Sequence, residues 1–334
     1  MQRVGWIDFL RGISMILILV FHTEMYYKEY DVTPYYIYTT NAIILFYFIS
    51  GYLFYRPESF SLKKKALSIV RSLLIPYFIF TTLIAIPKVL VRQENVDWID
   101  ISLKIISGRA SWFIAALIVG ELFFALLLTK TRGKIPWLLI DAIGCLVIYY
   151  IIPFNQHNYW QWQDALLAIT FLSTGYFYHQ YEKHFHTINK LLYSLILLLI
   201  LIFIKLYEYH VDLPMRNIAI ENIPLFIADA FIWLLFIISI IRYIPRCKMI
   251  EWTGQHSIVY YFLAGGCPLI ISILFNKVGC YYDGYWYRYV IALILVYTLA
   301  TILTWLIYKY VPFITGRIKK LVSELFMIIL IMMN

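Results

Sequence analysis

The sequence predicts an all-α, polytopic membrane protein of about ten transmembrane helices, with both termini cytoplasmic. Three observations predict it. Hydrophobic residues make up 62% of the 334 and charged residues only 14%, where soluble domains run about half apolar and about a quarter charged. Apolar runs of spanning length, about 20 residues each, recur along the whole chain, and the mean hydropathy is +0.76. Aromatic residues, 30 Tyr, 23 Phe and 10 Trp, gather at the ends of those runs, as Trp6, Tyr26, Tyr27, Trp112, Trp137, Tyr149, Tyr150, Trp160 and Trp162 do. That placement suits an interfacial belt, where an amphipathic ring keeps one edge wet.

The predicted spans are 6–27, 36–55, 66–87, 112–130, 136–152, 162–179, 189–205, 222–241, 255–275 and 288–311. The first carries Asp8, Arg11 and His22 and lacks a small-residue cleavage site, so it is expected to remain as a helix. The second ends near Ser50–Gly51, where a small residue permits close helix approach. The third follows Lys63–Lys65 and contains Arg71 and Pro76. The fourth opens on Trp112 and contains Glu121. The fifth and seventh are short; the fifth carries Asp141. The sixth carries Asp164 and Gly175, and the eighth Asp229.

Most of the 28 Lys and Arg residues fall on one side when the N-terminus is set in the cytoplasm. Arg56, Lys63–Lys65, Lys130, Arg132, Lys183 and Lys248 are among them, which is the positive-inside pattern. Lys28, Lys205 and Arg216 fall outside. The net charge of +9 is therefore a topology signal, and nucleic-acid binding is excluded. Residues 1–315 read as a single transmembrane domain. The tail 316–334, basic and then apolar, is expected to lie along the membrane surface. Cys145, Cys247, Cys267 and Cys280 lack metal or redox spacing, and no metal is expected. Spacing alone does not establish whether Cys267 and Cys280 pair.

Ionisable groups inside the membrane cost about 2.5–3.5 kcal/mol each on insertion scales, so each is a candidate site. Eleven helical steps bring His22 back to within roughly 20° of Arg11, about 16 Å further along the axis. Asp8 falls on the same side. One reading is a track: Arg11 holds an anionic donor near the cytoplasm, and His22 acts as general base deeper in. The other is an interfacial Asp8–Arg11 pair with an interfacial histidine, and geometry alone does not choose. Lys64 lies seven residues before Arg71, nearly in line on a continuous helix. That arrangement suits phosphate binding, while Lys63–Lys65 alone suit the ordinary topology signal. Glu121 and Asp229 look deepest among the remaining acids. A polar partner in the bundle is the plain explanation for Asp141, Asp164 and Asp229.

Asp8-Phe9-Leu10-Arg11-Gly12, with His22 further along the same helix, resembles the signature of the acyltransferase-3 family of bacterial integral-membrane O-acyltransferases. Ile49-Ser50-Gly51-Tyr52-Leu53-Phe54 is similar to its SGxLF segment, and Arg71-Ser72-Leu73-Leu74-Ile75-Pro76-Tyr77 to its basic third-helix motif. Trp112-Phe113 followed by Glu121, Ser173-Thr174-Gly175-Tyr176, and Gly254-Gln255-His256-Ser257 with Tyr261 match in the family's order. The resemblance runs from about Asp8 to Pro312. It is nearest to the short fucose-acetylase-like or polysaccharide O-acetyltransferase members. Two positions depart from the pattern: Ser68 stands where many relatives carry a second arginine, and Ala264 where many carry a histidine.

The resemblance implies a bacterial cytoplasmic-membrane enzyme that moves an acyl group, expected to be acetyl, to a hydroxyl. The donor is cytoplasmic acyl-CoA (acetyl-CoA), and the acceptor is a surface glycan or its lipid-linked saccharide precursor. His22 is expected as general base, with Asp8 and Glu121 in support. Arg11, Arg71 and Lys64 or Lys65 are expected to bind the donor's phosphates. Trp112 and Ser50 are expected to contact substrate. Outer segments 88–111 and 206–221 are expected to line the acceptor entrance. A transporter or flippase for a glycan or small solute is the alternative from another class, and it would move substrate without acyl turnover.

Overall fold

A computed structural model describes residues 4–28, 38–55, 60–92, 97–153, 158–187, 190–211, 222–241, 243–282 and 285–316. Every regular element among them is helical. In chain order these are α1 (Gly5–Lys28), α2 (Thr39–Phe54), α3 (Leu62–Ile69), a π-turn (Val70–Leu74) and α4 (Ile75–Arg92). Then come α5 (Trp98–Ile106), α6 (Trp112–Thr131), α7 (Ile135–Ile151), α8 (Trp162–Tyr181) and α9 (Leu191–Val211). The last four are α10 (Ile223–Ile240), α11 (Lys248–Gln255), α12 (Ser257–Lys277) and α13 (Trp286–Tyr310). The expected tail from Arg317 and the outer residues 212–221 lie outside the described residues.

Each predicted span coincides with a helical stretch, though not every stretch is long and apolar enough by itself to cross a membrane. Among the described residues, six helical stretches are long and apolar enough by themselves to cross a membrane. Asn41–Phe54, Ile135–Ile151 and Leu191–Tyr207 are apolar but shorter. Helix α8 is long enough, yet it carries Gln163, Asp164, Thr170 and Ser173, all turned into the bundle. A helix whose polar groups are hidden by its neighbours need not be apolar all round.

The ninth predicted span is the helix α12; the eight-residue α11 just before it was not predicted and ends at His256 (φ −114°, ψ 15°), where α12 begins. His256 is buried, and its Nδ1 lies 2.7 Å from the Trp252 carbonyl. Helix α5 was not predicted, because nine residues are too few to span. It is capped by the Asp97 side chain, which accepts from the N–H groups of Ile99 and Asp100.

Helix α1 lies at the centre, packed against α2, α11, α12 and α13. Helix α8 packs against α2, α6 and α7, while α9 rests on α10 at the edge. Leu192, Leu199 and Phe203 of α9 and Ile140, Ile143 and Ile151 of α7 are exposed. Such faces suit contact with lipid chains, which bury no backbone polar group because the helix satisfies its own.

Two crossings depend on glycine. A Cβ at Gly51 of α2 would strike the Leu172 carbonyl of α8, and one at Gly175 of α8 would strike the Phe48 carbonyl of α2. The pair of small residues thus lets two backbones touch. Gly12 of α1 meets Ile250 of α11, and Gly254 of α11 meets Asp8, in the same reciprocal way. Deeper in the bundle, Lys205 of α9 reaches Asp229 of α10 at 2.7 Å, with both side chains largely buried. Lys205 thus does more than mark the outer side.

Gly175→Ala should lower the thermal midpoint in detergent, because overpacking a tight crossing costs about 1–3 kcal/mol. An unchanged midpoint would mean that the α2–α8 contact is looser than its geometry requires.

Candidate functional site

The predicted residues separate into three neighbourhoods. Glu121, midway along α6, organises the first. One carboxylate oxygen accepts a hydrogen bond from Ser50 Oγ of α2. The other lies 2.8 Å from Lys65 Nζ of α3. Lys65 also sits 3.7 Å from the centre of the Phe54 ring, a cation–π contact. Asp8 and Glu121 are the carboxylates within electrostatic reach of Arg11. Two cations and two anions from α1, α3 and α6 therefore balance around a serine of α2. Such pairing is what buried charges need where water is scarce.

Glu121 therefore joins Arg11, Ser50 and Lys65. No contact among the described residues links it to His22. Lys65, not Lys64, turns inward; Lys64 is exposed beside Lys63. Ser61 caps this helix by accepting from the Lys64 N–H at 3.4 Å.

Arg71 forms the second neighbourhood. It lies in the π-turn between α3 and α4, a rare helical widening found often at functional sites. The sequence explains the turn: Pro76 has no N–H to close the ordinary ladder. The Ile75 N–H instead bonds the Val70 carbonyl in the π pattern. Gly316, in the left-handed region at φ +75°, packs against the Arg71 carbonyl. The Nε of Arg71 is buried and has no hydrogen-bond partner among the described residues. A guanidinium held this way is an open donor to an anion. Ser68, almost one turn earlier, is exposed, and its carbonyl accepts from the Ser72 Oγ at 2.8 Å.

His22 forms the third, in the outer half of α1. It is half-buried, and its ring stacks on Tyr26 with centroids 6.4 Å apart. No hydrogen bond holds either ring nitrogen among the described residues. Ala264 is fully buried against the same stretch of α1, beside Met15, Ile18 and Leu19. Trp112 is half-buried, edge-on to Phe113 at 6.0 Å.

Glu24, two residues from His22, was not singled out in the sequence. It is 4% exposed and accepts a hydrogen bond from Tyr38 at 2.9 Å. Its place near the end of an apolar run made it resemble an ordinary interfacial acid, and only the return of Tyr38 reveals it as internal.

Glu121→Gln should destabilise the fold by about 1–3 kcal/mol, because it leaves Lys65 and Arg11 short of an anion. Adding Lys65→Met should cost less than the sum of the two single changes. Strict additivity in a double-mutant cycle would show the pair to be uncoupled.

A family model described as an acyltransferase domain matches residues 4–309. No curated protein and no solved structure matches the chain. The match spans Arg11, His22, Lys65, Arg71 and Glu121 and both glycine crossings. With its long apolar helices, this multi-pass membrane protein belongs to the acyltransferase-3 family.

Proposed function

We propose that the protein is an O-acyltransferase of the bacterial cytoplasmic membrane. It moves an acyl group, acetyl by preference, from cytoplasmic acyl-CoA to a hydroxyl of a surface glycan or its lipid-linked precursor. In this reading the chain crosses the bilayer ten times with both termini inside. The three shorter apolar helices and α8 complete the count, since a bundle shields what lipid would not accept.

The observation that carries the proposal is the arrangement along α1. Arg11 and His22 share one face about 16 Å apart, and the imidazole nitrogens have no hydrogen-bond partner among the described residues. Arg71 adds a buried Nε with no hydrogen-bond partner among the described residues. Donor phosphates would bind Arg71 and the Arg11 end, and the pantetheine arm would run along α1 towards His22. Lys65 is already engaged by Glu121, so it acts mainly by holding the Arg11 neighbourhood in shape.

In the chemical step, neutral His22 accepts the proton of the acceptor hydroxyl as its oxygen attacks the thioester carbonyl. The tetrahedral intermediate then collapses with cleavage of the carbon–sulfur bond. The proton on His22 passes to the departing thiolate. The ester and free thiol leave, and the imidazole returns to its neutral form. Imidazole suits both proton transfers because its ordinary pKa lies near physiological pH.

Membranes bearing the chain should transfer label from acetyl-CoA into the glycan fraction. His22→Gln should reduce this about 10²–10⁴-fold. Equal transfer by both would remove His22 from the mechanism. Substrate movement with no acyl turnover would favour the transport alternative.

Arg71→Met should raise the KM for acetyl-CoA about tenfold or more, the value of a charge-assisted contact, and leave that for acetyl-pantetheine unchanged. A parallel rise for both donors would show that Arg71 does not read the nucleotide phosphates.

A further inference from the structure

A second group of buried polar side chains lies beside the Glu121 cluster and is left incomplete by the protein. Tyr47 of α2 and Asp164 of α8 are each 2% exposed. Neither the Tyr47 hydroxyl nor Asp164 Oδ1 has a hydrogen-bond partner among the described residues. The other Asp164 oxygen accepts from Asn158 Nδ2 at 3.3 Å. Asp164, Tyr261 and Tyr149 are the ionisable groups within electrostatic reach of Tyr47. Above them the Ser111 hydroxyl donates to Tyr261 at 3.2 Å. The Phe113 ring covers Tyr47 and Tyr261, with centroids 5.3 and 5.4 Å away.

Burying a hydroxyl and a carboxylate oxygen without partners costs stability, so this arrangement is not explained by folding alone. The neighbouring backbone is also costly. Trp160 and Gln161 both adopt left-handed φ, at 52° and 53°, which non-glycine residues seldom do in succession. Strain of this kind tends to persist where a site needs it.

The position is suited to substrate. Tyr47 and Ser50 are three residues apart on α2, hence on adjoining parts of one face and roughly 5 Å apart along the axis. The group is therefore contiguous with the Glu121–Arg11 cluster. Tyr261 also packs against the core that holds Met15, Ile18 and Leu19, the turns leading to His22.

A single carboxylate with one oxygen already bonded is poorly equipped for a metal cation, and an acyl chain would leave both polar atoms unpaired. A ring bearing neighbouring hydroxyls fits both: one hydroxyl donates to Asp164 Oδ1, another accepts from Tyr47, and apolar C–H faces meet the aromatic rings. We infer that Tyr47, Asp164 and Asn158 form the subsite that holds the ring of a neutral saccharide acceptor. The inference deepens the acyl-transfer reading and rests on it only for the ligand's role as acceptor.

The test uses the full chain in sugar-free nanodiscs. Tryptophan fluorescence is titrated with methyl glycosides of hexoses, 6-deoxyhexoses and N-acetylhexosamines, and thermal midpoints are measured in parallel. At least one glycoside should give a saturable change, weakened tenfold or more by Tyr47→Phe and by Asp164→Asn. Both variants should melt at or above the midpoint of the original chain, because each removes an orphaned polar demand. A purely structural cluster would instead lower the midpoint and spare binding, and that outcome overturns the inference. So does the absence of binding by every glycoside. Labelled acetyl-CoA turnover by the original chain separates the two readings. Glycoside binding without donor turnover leaves the subsite standing and removes the enzyme; turnover without glycoside binding does the reverse.

Discussion

Glu121 is a carboxylate in the middle of an apolar helix, and its need for partners determines much around it. With Ser50 bonded to one oxygen and Lys65 to the other, α2, α3 and α6 are tied at one point. Arg11 adds α1 through its charge. In water such a group could be solvated in many arrangements. In a bundle set in lipid, the arrangement must come from the protein. That constraint brings the Arg11 end of α1 to a defined place and turns Lys65 inward while Lys64 stays at the surface.

The helix crossings and the local breaks then distribute the remaining groups. Glycine contacts hold α2 against α8, so Tyr47 comes to face Asp164 from across that seam. The crossing of α11 over α1, also through glycine, leaves α12 to run beside α1 with Tyr261 pointing to the same region. Pro76 forces the wide turn that carries Arg71. Each of these devices costs something in helix regularity, and each stands next to a polar group with unfilled hydrogen-bonding capacity.

The sequence carried the helical architecture and the family because both rest on local information. Apolar length gives spanning helices, and cation placement bears on their orientation. The order of Asp8, Arg11, His22, the Ser50–Gly51 step, Arg71 and Trp112 suffices for the resemblance. The shared face of Arg11 and His22 was also legible, since both lie on one continuous helix whose geometry is known in advance.

Contacts between helices were not legible, because they depend on register and rotation that no single segment specifies. Lys64 and Lys65 are equivalent in sequence, and only the docking of α3 on α6 separates them. Glu121 was open to several partners until α2 and α3 closed on it. Asp164 read as one more buried acid, because its significance lies in Tyr47, more than a hundred residues earlier, and in what both lack. Sequence thus determined which chemical groups enter the membrane and on which helix. Tertiary packing decided which of them neutralise one another and which remain open, since a buried polar atom's role depends on the partners that reach it.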